Sequence, residues 1–252
     1  MVKKWSWKEM WGKAMKAKVN IQLIKTTTFD SGALGMMAMV LHQFRSAGRY
    51  RAAIMEQGRA VTNVDFEVDE KSEVMQLDID LAGAVRLAKA RPEECICKTE
   101  KQTTKVVSPK GYVLFHASSG GGYSVTASNG GNQAVFDSTK LRNGDLFALS
   151  LLEPASYSMT NKIGAASGEI TVSLPREMAQ HIKNLETRYI DVTEEGFNPQ
   201  RIELISSQGL VFRIKTPARI LIEKKSAVLE KRGKPIVRWQ KPPTVKKSRA
   251  AN

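Results

Sequence analysis

The side chains best suited to hold a transition metal are few. They are His42, His116 and His181, with Cys95 and Cys97 in "ECIC". Imidazole and thiolate together build copper and zinc sites. Cysteines two apart on a strand would share one face. Two thiolates fall short of the four ligands of a structural zinc site, and the alternative is a pair of ordinary strand cysteines. His42 lies in an apolar segment, as a ligand to a metal or pigment or as a hydrogen-bonded core histidine. The carboxylates of "NVDFEVDEKSEVMQLDIDL" alternate with apolar residues. Such a face could collect a divalent cation, but no glycine-bearing calcium loop accompanies it, and a solvated face is the alternative. "SSGGGYS" is glycine-rich but lies between predicted strands, where a hairpin loop rather than a phosphate cradle is expected. No H-E-x-x-H, G-x-S-x-G or Walker A pattern occurs. No catalytic residue, metal ligand or cofactor is expected, and the chain is not expected to be an enzyme.

The elements that would position any site sit between two charged ends. The 252 residues carry a formal net charge of +14. Residues 1–25 hold seven lysines against Glu9, and residues 224–252 hold ten Lys and Arg against Glu230. The body between them is therefore close to neutral. Basic arms favour anionic partners such as lipid headgroups, nucleic acid or acidic protein surfaces. For the C-terminal arm a solvated, solubilising tail is the alternative. No cleavable signal peptide stands out.

"KKWSWKEMWGKAMKAK" has helical periodicity, with Trp7, Met10, Trp11, Ala14 and Met15 on one face. Lys8, Glu9, Lys13 and Lys16 take the other side, and Trp5, Trp7 and Trp11 with Lys8, Lys13 and Lys16 make this a docking helix. It would meet a membrane surface, a groove on a partner, or the chain's own core. A second helix is expected over residues 31–58, where Met36, Met37, Val40, Leu41 and Phe44 form a stripe. Residues 26–44 are either a short membrane span or a buried or interfacial helix. Val64, Phe66 and Val68, then Met75, Leu77, Ile79 and Leu81, predict an acidic-faced β-hairpin. A short helix follows over 82–92. Short strands with turn punctuation fill 94–174 and return over 187–223, separated by a helical linker. The fold class expected is α+β: an N-terminal helical region and hairpin, a mainly β Greek-key sandwich, a second partial β unit and a basic tail. The divisions are 1–60, 61–93, 94–175, 176–227 and 228–252.

Four pieces of the middle block occur in a recognisable order. "SPKGYVLFHA" looks like a strand that carries P-x-G-x-x-V-x-F, and "YSVTASNGG" looks like a segment that usually opens on histidine. "FDSTKLRNGDLFALSLLEPASY" is similar to F-D-S-x-x-L-x-x-G-x-x-F-x-x-x-F-x-x-P-G-x-Y, and "GEITV" looks like a closing strand. This block resembles the cupredoxin family, plastocyanin-type β-sandwich copper proteins. The resemblance implies a sandwich, but its copper ligands are replaced. Tyr123 and Gly164 stand where the family has histidines, and Asn161 where it has cysteine. No methionine follows in "AASG". "YIDVTEEGFNPQRIELISSQGLVFRIK" resembles the opening of a second such unit, with Arg219 near an expected histidine. The strands of 187–223 would then form their own sandwich or complete the first.

A copper-free sandwich with basic arms is expected to be a non-catalytic accessory or structural subunit. It would dock on other protein subunits of a larger, membrane-associated assembly; the family's setting in electron transfer points to a respiratory or photosynthetic one. The alternative is nucleic-acid binding through the termini, with Lys231, Arg232, Arg238, Trp239, Lys246 and Lys247 as anionic-partner contacts. Copper electron transfer is the least favoured of the three.

Overall fold

Phe29, Asp30, Ser31, Leu34 and Tyr50 recur, each 107 positions later, as Phe136, Asp137, Ser138, Leu141 and Tyr157. The computed structural model, which describes residues 26–90, 105–130, 134–174 and 185–225, explains this spacing as a duplicated fold. The described residues form seventeen strands and one helix, α1 (Leu81–Lys89).

The central sheet has seven strands. Their order is β14 (Gly196–Asn198), β13 (Arg188–Thr193), β16 (Gly209–Ile214), β10 (Leu146–Ser150), β2 (Ala38–His42), β7 (Tyr112–His116) and β5 (Gln76–Asp80). The first flanking sheet runs β6 (Lys105–Val107), β4 (Arg59–Val68), β3 (Gly48–Glu56), β8 (Tyr123–Asn129) and β9 (Ala134–Asp137). The second runs β15 (Arg201–Ile205), β12 (Ser167–Ser173), β11 (Ser156–Asn161), β17 (Ile220–Lys224) and β1 (Thr28–Asp30). Taken in these orders the flanking sheets match strand for strand. The first pair in each is parallel and the rest are antiparallel.

A pseudo-two-fold axis relates the halves. It passes between the antiparallel strands β2 and β10, where Val40 stands opposite Phe147, its own counterpart 107 positions on. The first strand of each half crosses to the other side. β9 follows β8 and closes the first flanking sheet, while β1 pairs with β17 and closes the second.

The recurring residues make the same contacts twice. Ser31 donates its amide to Ile220 O (3.0 Å) and accepts from Ile220 N through its hydroxyl (3.0 Å). Ser138 does the same with Val125, also at 3.0 Å each. Leu34 pairs with Tyr123 and Leu141 with Ala218 as isolated antiparallel bridges. Tyr50 donates its hydroxyl to Ser46 O, and Tyr157 to Glu153 O, both at 2.8 Å. Each is a tyrosine corner, fastening a strand start to the chain just before it.

One row across the central sheet, Ile79–Phe115–Val40–Phe147–Phe212–Ile190, is fully buried. Phe115 stacks on Phe136 of β9 at 5.3 Å, so this face packs on the flanking layer. Core residues from all three sheets belong to a single cluster. Gly168 is required where β12 meets β15, because a Cβ there would lie 2.4 Å from Gln200 O.

Several expectations are corrected. The protein is mostly β, not α+β with an N-terminal helical region. The helix expected over 31–58 is instead β2 and β3, so 26–44 holds strands rather than a spanning or interfacial helix. Ala38, Val40, Tyr50, Ala52 and Ile54 are buried with strand alternation. The acidic-faced hairpin is absent because its two strands belong to different sheets. β4 lies between β3 and β6, and β5 runs parallel to β7. The short helix near 82–92 is present as α1, and strands are present in the described parts of the ranges 94–174 and 187–223 where they are expected. The latter join the same sheets as the former. Residues 1–25, the linker 175–184 and the tail from 226 lie outside the described residues.

The Tyr157 hydroxyl is pushed up to about 12, first by burial and then by the charge of Glu153. Folding therefore favours its neutral form. The stability this gives is whole below the ordinary phenol value of about 10 and is lost as pH rises through about 12. Tyr50→Phe and Tyr157→Phe should each cost about 1 kcal/mol near neutral pH. Urea midpoints measured up to about pH 12 should fall less steeply for Tyr157→Phe than for the wild type.

Candidate functional site

The positions at which the sequence predicts substituted copper ligands can now be placed. Tyr123 opens β8 in the first flanking sheet, whereas Asn161 ends β11 in the second. They do not share a sheet. Asn161 is buried, and its carboxamide is occupied by backbone. Its Oδ1 accepts from Ile163 N (3.1 Å) and Arg219 N (3.0 Å), and its Nδ2 donates to Pro217 O (3.4 Å). A Cβ on Gly164 would come within 2.9 Å of that Nδ2, so the turn after β11 closes directly over the amide.

Arg219 is equally committed. Its Nε donates to Asp30 Oδ1 (3.0 Å) and a terminal guanidinium nitrogen to Asp30 Oδ2 (2.8 Å). Two parallel bonds of this kind fix orientation as well as charge. Asp30 Oδ1 also accepts the Gly32 amide at 2.8 Å. The fork therefore clamps β17 against the exchanged strand β1. Two carboxamide or guanidinium side chains, a phenol and a glycine offer no thiolate–imidazole set, so these residues do not fit copper.

His42 stands across from Asp145 where β2 and β10 meet. Nδ1 lies 2.5 Å from Asp145 Oδ1, and Asp145 Oδ2 accepts the Arg142 amide at 2.6 Å. The ring packs edge-on against Phe44 (4.4 Å) and tilted over Phe136 (4.8 Å). An Asp–His pair fixes an imidazole tautomer, as a general base requires. Here the pair also ties the turn before β10 to the neighbouring strand. This matches the core-histidine alternative. Sequence reasoning missed Asp145, which is 103 positions away and looks like an ordinary Asn-Gly-Asp turn residue.

A third cluster lines an open cleft of about 410 Å³ between α1 and the end of β3. Arg86, Lys89, Glu56, Ser119 and Tyr123 face it. Lys89 and Glu56 form an ion pair. Burial, reinforced by the charge of Glu56, raises the Tyr123 hydroxyl above its ordinary value. Next to it, Asp80 accepts the Ser118 amide (3.0 Å) and hydroxyl (2.6 Å). Burial alone would raise that carboxyl, but these bonds, the Gly83 amide and the nearby His116 outweigh it and hold it low. The glycine-rich loop therefore joins the central and first flanking sheets and is fastened by Asp80. It is not a hairpin within one sheet.

Among the described residues, no group of three His, Cys, Asp or Glu comes together to hold a metal ion. Cys95, Cys97 and His181 lie outside the described residues. So do Trp5, Trp7, Trp11, Lys8, Lys13 and Lys16, and Lys231, Arg232, Arg238, Trp239, Lys246 and Lys247.

Asn161→Ala would strand two backbone donors in a closed turn, at a cost of roughly 1–3 kcal/mol. Asn161→Asp keeps an acceptor and should cost less. Denaturant titration of the two variants checks this order; equal losses would show that the Oδ1 contacts carry no weight.

Comparison with known proteins finds no counterpart: no family model, no curated protein and no solved structure matches this chain.

Proposed function

We propose that the protein is a non-catalytic structural or accessory subunit: a cupredoxin-like double sandwich without copper that docks into a larger, membrane-associated assembly. One observation carries this reading. The positions that would hold a metal in that family, at Asn161, Gly164 and Arg219, are committed to contacts that hold strands and turns together. A fold stripped of its cofactor still offers sheet faces, edges and loops to partners. The concentration of positive charge in residues 1–25 and 224–252 supports docking through the ends. A respiratory or photosynthetic host is an analogy with the family's usual setting. No helix among the described residues is long and apolar enough to cross a membrane.

Two measurements test this on the full chain. Copper quantified on protein purified from its native source should be far below one equivalent. A stoichiometric content would overturn the copper-free reading. Deleting residues 1–20 should move the protein from the membrane to the soluble fraction, whereas unchanged fractionation would overturn the docking role of that segment. Binding to an oligonucleotide that weakens steeply with salt, with no membrane association, would favour the nucleic-acid alternative instead.

A further inference from the structure

The outer face of the central sheet is also apolar along its middle strands. Strand register builds it in two rows. Leu114, Leu41 and Leu146 stand side by side on β7, β2 and β10. Met39, Ala148 and Val211 stand side by side on β2, β10 and β16. The pseudo-two-fold axis exchanges the rows. All six side chains are half-buried, although they point away from the flanking layer. None belongs to the core cluster or to the half-buried residues packed on it. They shield one another as neighbours on a sheet do, and no described element covers them. An apolar patch spanning four adjacent strands is more contiguous than scattered surface leucines, as contact surfaces are.

The ends of this face differ in charge. The first row begins at Asp78 on β5 and the second at Asp80. At the opposite end the first row reaches Arg213, with Lys215 just beyond, and both pair with Asp191. Two cations against one carboxylate leave that end positive. Tyr189, 51 % exposed, lies under the Arg213 guanidinium at 5.3 Å and closes the second row. Aromatic and arginine side chains are enriched in protein contacts.

We propose that a second copy of this chain seats on the outer face of the central sheet. The two sheets would pack face to face about a two-fold axis parallel to the strands. That orientation sets the Asp78–Asp80 end of each copy against the Arg213–Lys215 end of the other. A two-fold axis across the strands would instead set like charges together. The six strands from β13 to β5, about 4.8 Å apart, span about 24 Å, and the two side-chain rows span about 14 Å, so each copy offers about 340 Å². The total of about 700 Å² is that of a weak, transient contact, consistent with a dimer that forms only towards the upper end of micromolar concentrations. This contact requires no larger assembly.

The test uses the full-length chain in sedimentation equilibrium over about 1–100 µM. The wild type should pass from monomer towards dimer at the upper end of this range. Leu41→Glu places a charge at the centre of the patch without touching the core. It should keep the wild-type circular dichroism spectrum and weaken dimerisation at least tenfold. Should that variant fail to fold, Leu41→Ser serves in its place with the same direction expected. Asp78→Lys, at the rim, should weaken the dimer several-fold at about 0.15 M salt and less at higher salt. A wild type that stays monomeric throughout would overturn the proposal. So would a dimer that folded Leu41→Glu and Asp78→Lys leave unchanged. A different subunit held on this face by a monomeric chain, lost in Leu41→Glu, would also overturn it.

Discussion

Everything in this fold depends on one antiparallel pairing, β2 against β10, with Val40 facing Phe147. It joins two similar sandwiches into one seven-stranded sheet and puts a pseudo-two-fold axis through the middle of the core. The strand exchange follows from it. Because the halves are held side by side, β1 and β9 can each close the flanking sheet of the other half. Neither half contains all the strands of its own sandwich. The contacts that fasten the exchanged strands are side-chain-specific: Ser31 and Ser138 on the opposing backbone, Leu34 and Leu141 as bridges, and the Asp30–Arg219 fork on one side only. The serine contacts and the fork each tie one half to the other.

Much of this was legible in the sequence. Strands such as β11, β12 and β15 alternate apolar and polar residues, because one face meets the core and the other meets water. Residues 38–56 were not legible, for a physical reason. Met39 and Leu41 face outward and are as apolar as the inward Ala38 and Val40, so the two-residue period vanishes. Alanine and methionine then tip local propensity towards helix, and pairing with β7, β8 and β10 overrides it. The acidic strands 59–68 and 76–80 were recognised individually, but their partners lie far along the chain. Nothing local distinguishes a hairpin from two strands in different sheets.

The duplication was hidden differently. The spacing between counterparts is 107 residues at the tyrosine corners but falls to 95 by Val125 and Ile220, as insertions accumulate. Only five identities mark its constant part, and each has a structural task. The candidate site shows the same division. That Tyr123, Asn161 and Gly164 are poor copper ligands is a matter of residue type and needs no coordinates. The contacts these residues make, a carboxamide knot at Asn161 and a clamp between Asp30 and Arg219, depend on partners up to 189 positions apart. Contacts that hold strands and turns together are what the proposed scaffold role requires of these positions.

The central claim is that the two sandwiches form one cooperative unit through β2, β10 and the exchanged strands. Native-state hydrogen exchange of the full chain tests it most directly. The account predicts that amides of Val40, Phe147, Ile220 and Val125 exchange with one common free energy, equal to that of global unfolding. If the strands of one flanking sheet exchanged through a separate opening of lower free energy while the other stayed protected, the halves would be independent domains and the account would be contradicted.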